Sequence, residues 1–468
     1  PGDANWAHGL LDVAHPQQEW QVGIGKGKSG GAFGVVSLHR PRLQIGLSCN
    51  DPEISPGEWE EIEDTLKRAL RAGIGGRTCV GYGSSGRLSG DLLFECALEG
   101  QGPAAKLLLK TPEHPNGVPE FRPTMFRAAI RGMALRLFGG LTDASTALEV
   151  VGRIFGSIGP GNDHNVGLLA TAYTDGSFQL GRYGWEGWKQ PIFATSGSLQ
   201  WRLTRKTSAQ DSEELLQELL TALHGLTMSL GGFGRGWRRP DHRIFKPSYD
   251  KTPIGCHWEW RNIDTLPSFI RIRTSSDLTA LLRRSRHLAE RWLQATGSPV
   301  GSFAPWREVI HPDKMLIWTR CAINTQDAEV IHWFHNPRHG EPVRDPRDLR
   351  KSDLAGGMNQ VGRIWNRLLA LEMTTQVPSV TKASANPTAC SSSATVRPST
   401  VTARPLAGAM ARPSNTQQEV DQSGEVWMNY ATGPFLESLA LFPEGHQSPD
   451  FIKVMDGGAS VGFERLRF

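Results

Sequence analysis

The sequence predicts an α+β protein with antiparallel sheets and one flexible insertion. Strand-like runs alternate with single amphipathic helices along most of the chain, which favours this fold class. One order of elements, a strand-like run followed by a helix and a glycine-rich loop, also occurs twice at nearly the same spacing. This repetition indicates a duplicated structural unit.

The composition is that of a globular protein with several domains. The chain has 468 residues, of which 38% are hydrophobic and 21% charged, and this length predicts about three domains. No apolar run is long enough to span a membrane and the N-terminus carries no signal pattern, so we expect a cytoplasmic protein without a membrane partner. Six scattered cysteines indicate neither disulfides nor a zinc site, and no motif indicates a cofactor. The net charge of +4 permits a polyanionic partner.

The repeated order is defined by two strands, two helices and two loops. The first copy has LQIGLSC from Leu43, a helix that starts at Pro56, and the loop GIGGRTCVGYG from Gly73. The second copy has LQWRLTR from Leu199, a leucine-rich helix, and the loop GGFGRGWRR from Gly231. The strand-like runs begin 156 residues apart and the loops 158 apart. Such agreement predicts a repeat of about domain size.

Further elements follow from local patterns. A helix is predicted from Pro123 to Phe138, because proline favours the first turn and Gly139-Gly140 ends the helix. Beyond about residue 251 the patterns predict a helix over Leu278 to Leu293, strands at Lys314 to Cys321 and at Ala328 to Phe334, and a helix carrying VGRIWNRLLALE. Residues 374–424 are rich in Ser, Thr, Ala and Pro and have almost no aromatic residues, which predicts a flexible insertion within a domain.

Two motifs are interpreted as structural. GIGKGKSGGAFG resembles a P-loop, but Val22 stands where the first glycine is required, so we interpret it as a flexible basic loop. His332, His335 and His339 are spaced like metal ligands on a helix, but Pro337 would break that helix and AEVIHWF alternates like a strand. We therefore predict a strand end and turn there, without a zinc site.

The glycine-rich loops carry the pattern typical of a nucleic-acid interface. Glycines let the backbone approach a ligand, arginines contact phosphates, and aromatic rings stack on bases. The candidate residues of the second loop are Gly232, Phe233, Gly234, Arg235, Trp237, Arg238 and Arg239. Those of the first loop are Gly75, Gly76, Arg77 and Tyr82. Both loops are therefore predicted to bind RNA.

These motifs resemble the RAMP superfamily of CRISPR effector proteins. GIGGRTCVGYG and GGFGRGWRR are both similar to its glycine-rich loop, and FRPTMFRAAIRGMALRLFG is similar to its helix entry. FGSIGPGNDHNVGLLATAYTDG resembles the segment that follows, and VGRIWNRLL resembles a motif of the smaller backbone subunits of type III complexes. The resemblance covers roughly Phe33 to Arg243 well and the rest of the chain loosely.

The resemblance implies tandem ferredoxin-like (RRM-like) RAMP domains. The expected division is a partial unit in residues 1–90, a complete unit in 91–250, a degenerate third unit in 251–373 and 425–468, and the insertion in 374–424. The glycine-rich loops and the helix with Arg127 and Arg131 are expected to face guide RNA.

The implied function is that of a CRISPR RNA-binding backbone subunit in a type III antiviral effector complex. Its expected partners are guide RNA, target RNA and other protein subunits of this ribonucleoprotein complex. Target-cleaving members of the superfamily carry an aspartate ahead of the helix entry, whereas residues 111–121 here contain Glu113, His114 and Glu120 but no aspartate. We therefore expect no catalytic residue. Two alternatives stay open: a target-RNA endoribonuclease that uses one of these side chains, and a scaffold that contacts only protein.

Overall fold

The computed structural model describes most of the two regions between residues 90 and 371 and between 433 and 468. The described residues are 11–14, 22, 33–36, 44–50, 53–75, 78, 83, 90–106, 119–158, 164–185, 188–205, 213–241, 244, 255–335, 349, 352–356, 361–371, 433–445, 447–457 and 462–468. The expected insertion at 374–424 lies outside them.

The described part contains helices and strands in nearly equal share. Its α-helices are α1 (Pro56–Ala72), α2 (Thr124–Gly139), α3 (Ala144–Phe155), α4 (Glu213–Leu230), α5 (Ser275–Ala295), α6 (Glu329–His335) and α7 (Pro449–Asp456). The strands of the two large sheets are β3 (Leu92–Pro103), β8 (Leu169–Trp185), β9 (Trp188–Leu203), β10 (His257–Trp260), β11 (Leu316–Ala322), β12 (Ile364–Ala370), β13 (Phe435–Leu441) and β14 (Glu464–Leu466). Three short antiparallel pairs are β1 (Leu11–Ala14) with β2 (Phe33–Val36), β4 (Ala105–Lys106) with β5 (Pro119–Glu120), and β6 (Ser157–Ile158) with β7 (His164–Asn165).

The first four-stranded sheet has the strand order β10-β3-β9-β8, and all its neighbouring strands are antiparallel. Along the chain its elements follow the order strand, helices, strand, strand, helix, strand. One face packs on the helices, where the ring of Phe94 lies 4.4 Å from His224 of α4 and that of Phe126 of α2 lies 4.7 Å from Tyr173. The inner strand β3 therefore pairs with β9 and β10, and its sheet packs against α2 and α4.

The second sheet has the order β12-β13-β11-β14 and is also antiparallel throughout. Its chain order is again strand, helix, strand, strand, helix, strand, with the same pairing of first, third and fourth strands as in the first sheet. Trp318 of β11 and Trp333 of α6 are buried in its core with Phe451 of α7. The fold is therefore α+β, with two antiparallel sheets of one topology.

A shared hydrophobic core joins the two sheets. It includes Trp201 of β9, Trp292 of α5 and Trp365 of β12, each exposed by at most 1%. Helix α5 connects the two halves and begins with a capping box, in which Thr274 accepts from the Asp277 N–H and Asp277 accepts from the Thr274 N–H. None of the helices in this described part is long and apolar enough to cross a membrane.

The helices with strong local signals form as predicted. Helix α1 starts after Ser55 with Pro56 in its first turn, and α2 starts after Pro123 and ends at Gly139, with Gly140 as its C-cap. The predicted helix over Leu278 to Leu293 is α5, and the predicted strand at Leu199 lies in β9. The strand predicted over Lys314 to Cys321 is β11, which begins at Leu316. Caps and helical periodicity act within one turn, so the sequence contains them in full.

Three predictions of local structure are wrong. Described residues 44–49 form no strand, and Ile45 and Leu47 are 47% and 46% exposed, because no other strand pairs with this run in the described part. The first copy of the predicted repeat therefore lacks its strand. The run predicted as a strand at Ala328 to Phe334 forms α6, because the distant Glu437 carboxylate accepts from the Glu329 and Val330 N–H groups and caps the helix.

The third wrong prediction is the helix carrying VGRIWNRLLALE, which is strand β12. Residues Ile364 to Leu368 are all buried, because β13 lies on one side and the glycine-rich loop on the other. A strand buried on both faces loses its alternation and cannot be told from a helix by periodicity.

The position of the insertion predicts that the fold tolerates its removal. Ala370 pairs with Phe435 and the Leu371 N–H donates to the Pro434 carbonyl at 2.9 Å, so the two ends lie side by side in a hairpin. Replacing residues 374–424 by a short Gly/Ser linker should change the free energy of unfolding by less than about 0.5 kcal/mol in urea denaturation. The same linker in place of residues 370–435 removes the last ladder pair and serves as a destabilised control. A loss of several kcal/mol on the first deletion contradicts the prediction.

His224 predicts a pH-dependent stability. Trp201 Nε1 donates to His224 Nε2 at 2.9 Å, so the imidazole proton lies on Nδ1, 2.8 Å from the Leu220 carbonyl. Burial disfavours the charged ring and lowers its pKa to about 4. The folded pKa lies below the unfolded value, so this stabilisation is complete above about pH 6.5 and is lost as the pH falls towards 4.

Lowering the pH from 7 to 5 should therefore reduce the free energy of unfolding by about 2 kcal/mol through this histidine. Urea denaturation of the wild type and of His224→Gln at both pH values measures the effect. We expect the pH dependence of the variant to be smaller by that amount, and an equal pH dependence in both proteins contradicts the assignment.

Candidate nucleic-acid interface

The second glycine-rich loop, residues 231–240, follows α4 and lies between the two sheets. Gly232, Gly234 and Gly236 have φ angles of +142°, +90° and +73°, a region that favours glycine. A Cβ on Gly232 would lie 3.0 Å from Cys256 Sγ. The glycines thus let the loop turn sharply and pack closely against β10.

Phe233 is a core residue of this loop. Its side chain is fully buried, and its ring lies 4.9 Å from Phe126 and 5.4 Å from Trp258. Trp258 Nε1 also donates to the Phe233 carbonyl at 3.0 Å. A ring in this position presents no face to a base, so its expected stacking role does not fit the structure.

Trp237 links the loop to the second sheet. Its half-buried ring lies 5.0 Å from Trp365 of β12, and the guanidinium carbons of Arg136 and Arg238 lie 5.2 and 4.3 Å from its centre. The Asn366 N–H of β12 donates to the Arg238 carbonyl at 2.9 Å. The loop backbone and this tryptophan therefore hold the edge of the second sheet.

Glu308 is a buried carboxylate that binds three arginines where the glycine-rich loop meets the second sheet. Arg136 Nη2 lies 2.5 Å and Arg238 Nη2 3.0 Å from its Oε2, and Arg307 Nη2 lies 2.7 Å from its Oε1. Burial alone would raise the pKa of Glu308, but the charges of the three arginines outweigh burial and lower it to about 2. We name these four residues the Glu308 cluster.

The Glu308 cluster was missed by sequence reasoning. Glu308 lies 172 residues from Arg136 and 70 from Arg238, in a segment without a motif. The only local hint is one arginine in helix α2 and another in the loop, because a guanidinium that is withdrawn from water requires a partner. Sequence alone does not show that Arg136 is buried and Arg238 half-buried.

Of the two arginines of helix α2 that were predicted to face RNA, one is buried and the other is half-buried. Arg127 is 7% exposed and donates to the Leu169 carbonyl at 2.8 Å and to the Phe155 carbonyl. It therefore ties α2 to the end of α3 and the start of β8. Arg131 is half-buried on α2.

Arg235 and Arg239 are the exposed arginines of the loop. Among the described residues Arg235 has neither an ion pair nor a hydrogen-bonded partner. In the first loop Gly75 is exposed, with φ +82°, whereas Gly76, Arg77 and Tyr82 lie outside the described residues. Glu113 and His114 also lie outside them, and Glu120 ends the short strand β5.

The β8–β9 hairpin extends beyond the end of β3. Strand β3 pairs with β9 only as far as Ile192, while the β8–β9 ladder continues to the pair Trp185 and Trp188.

Comparison of the chain with models of known protein families gave no match, and comparison with curated proteins gave none.

The Glu308 cluster predicts a strong dependence of stability on one carboxylate. Glu308→Gln leaves three guanidiniums without a counter-charge, so we expect a loss of about 3 kcal/mol or more in urea denaturation. Glu444→Gln is the matched control, because Glu444 pairs with Arg363 but is 69% exposed, and its loss should cost less than about 1 kcal/mol. Equal effects of the two substitutions contradict this role of Glu308.

Proposed function

We propose that this protein is an RNA-binding backbone subunit of a type III CRISPR effector complex, which holds guide and target RNA without cleaving them. The observation that carries the proposal is the tandem of two sheets with one topology, joined at a glycine-rich, arginine-bearing loop. Each sheet has four antiparallel strands in the spatial order fourth, first, third, second, which is the order of a ferredoxin-like unit. Domains of the RAMP superfamily, which the motifs of this sequence resemble, are built on this unit.

The two units differ in extent from the division expected from the sequence. The first sheet begins at Leu92 and is completed by β10, which ends at Trp260 rather than before residue 250. The second sheet begins at Leu316 and is completed by β14. We infer one RAMP unit in residues 92–260 and a second in 316–466, with the insertion between the second and third strands of the latter.

The open face of the first sheet favours RNA contact through loops. RRM domains stack bases on aromatic residues of their sheet. Here Glu95 of β3 occupies that face and accepts from Ser198 Oγ at 2.6 Å and Gln200 Nε2 at 2.9 Å. These hydrogen bonds from Gln200 and Ser198 lower the pKa of Glu95, so it carries a negative charge at neutral pH. The acidic side chain of Glu95 offers no ring on which a base could stack, so we propose the glycine-rich loop as the RNA-binding surface.

The loop is suited to sequence-independent contact with the RNA backbone. Its two exposed arginines lie on a segment that the Glu308 cluster and Trp237 hold in place. A preorganised loop spends less conformational entropy on binding than a mobile one. Phosphate contacts of this kind position an RNA strand without reading its bases.

Loss of the two exposed loop arginines should weaken RNA binding uniformly. We expect Arg235→Ala with Arg239→Ala to reduce affinity for unrelated single-stranded RNAs alike, and to reduce the salt slope of the logarithm of the binding constant by about 1.4. Arg238 stays unchanged because it is part of the Glu308 cluster. Fluorescence anisotropy across a salt series measures both quantities.

The matched control removes two exposed positive charges elsewhere, with Lys67→Ala and Arg68→Ala on α1. This control should leave both the affinity and the salt slope near the wild-type values. Loss of affinity for only some sequences would indicate base recognition instead. Absence of any RNA binding by the wild type would favour the scaffold alternative.

A further inference from the structure

Helix α5 carries a row of basic side chains on its outer face. Arg283, His287 and Arg291 are exposed and are spaced four residues apart, so that they follow one another at about 6 Å along the helix axis. We name these three residues the α5 basic stripe. The opposite face of the helix, with Leu281, Leu288 and Trp292, is buried in the shared core.

Neither arginine of the stripe has an acidic residue of its own helix one turn away, and Glu290 lies three residues from His287. The positions three and four residues from Arg283 and from Arg291 contain no acidic residue. Asp277 accepts from the backbone N–H groups of Arg273 and Thr274 at 3.0 and 2.9 Å, as part of the capping box. Glu290 lies beside the half-buried Arg286, whose positive charge it stabilises. Both acids on α5 therefore have other roles.

Neighbouring elements add positive charge at one end of the stripe. Arg283 Nη2 donates to the carbonyl of Arg467 at 2.9 Å, which brings the exposed Arg467 beside it. Arg284, next to the stripe, has an exposed ion pair with Glu218 of α4 at 3.4 Å. The exposed arginines Arg283 and Arg467 therefore lie together at this end of the stripe.

The chemistry of the stripe fits a phosphodiester backbone. Guanidinium groups suit phosphate oxygens, and their regular spacing suits a partner with regularly repeated charge. None of the large hydrophobic side chains that are exposed in the described part lies on α5. An interfacial membrane helix and a hydrophobic protein interface both need such side chains.

We propose that the α5 basic stripe is a second RNA-binding surface, which contacts the phosphate backbone through Arg283 and Arg291 without reading sequence. It extends the proposed function to the helix that connects the two units, and it rests on RNA being the polyanion that this protein binds. The stripe lies on a different element from the glycine-rich loop, so each surface can be removed separately.

The test compares variants of the full chain for binding to a fluorescein-labelled uridine homopolymer across a salt series. Arg283→Gln with Arg291→Gln should reduce the salt slope by about 1.4 and the affinity at about 0.1 M salt by about 25-fold. Lys67→Gln with Arg68→Gln removes the same charge from another exposed helix and should leave affinity near wild type. Arg283→Lys with Arg291→Lys keeps both positive charges, on which counterion release depends, and should retain most of the affinity.

Three results overturn the proposal. The first is equal RNA affinity of the glutamine variant and the α1 control variant, and the second is an equal loss of RNA affinity in the glutamine and lysine variants. The third is a glutamine variant that binds anionic lipid vesicles less tightly than the wild type but binds RNA with unchanged affinity. The loop variant Arg235→Ala with Arg239→Ala separates this proposal from the proposed function. If the loop variant alone loses RNA affinity, the stripe is refuted and the loop site stands. If the stripe variant alone loses it, the loop site is refuted and the stripe stands.

Discussion

Glu308 is fully buried and is shared by the guanidiniums of three arginines that come from different parts of the chain. Arg136 belongs to helix α2 of the first unit and Arg238 to the glycine-rich loop. Arg307 also donates to the Val361 carbonyl just ahead of β12, and so reaches the second unit. Because charges taken out of water require close partners, none of these elements can move away without leaving a buried charge exposed to an apolar environment. The relative placement of helix, loop and second sheet depends on this carboxylate.

This constraint gives the arginines of the chain two different roles. Arg136 and Arg238 stabilise the junction, whereas Arg235 and Arg239 remain at the surface of the same loop. Both kinds occur in one short motif, and residue type alone does not distinguish them. A loop that Arg238 fixes to Glu308 can present its exposed arginines in one geometry, which is what contact with an RNA backbone requires.

The sequence predicts the parts of this structure that are determined locally. Helices α2 and α5 have their start and stop signals within a few residues, and α+β as a fold class follows from the alternation of elements. Helix α6 and strand β12 were mispredicted because their partners, Glu437 and the glycine-rich loop, are more than 100 residues away. The candidate site shows the same division: its glycines are visible in the sequence, but Glu308, which organises it, is not.

The proposed function requires that the tandem units hold a guide RNA. The most direct measurement is purification of the chain from cells that also express a type III CRISPR array and its complex, followed by extraction and sequencing of the bound RNA. We expect the wild type to carry RNA transcribed from the array and the variant Arg235→Ala with Arg239→Ala to carry none. A preparation free of RNA, or one carrying only cellular RNA in proportion to its abundance, would contradict it.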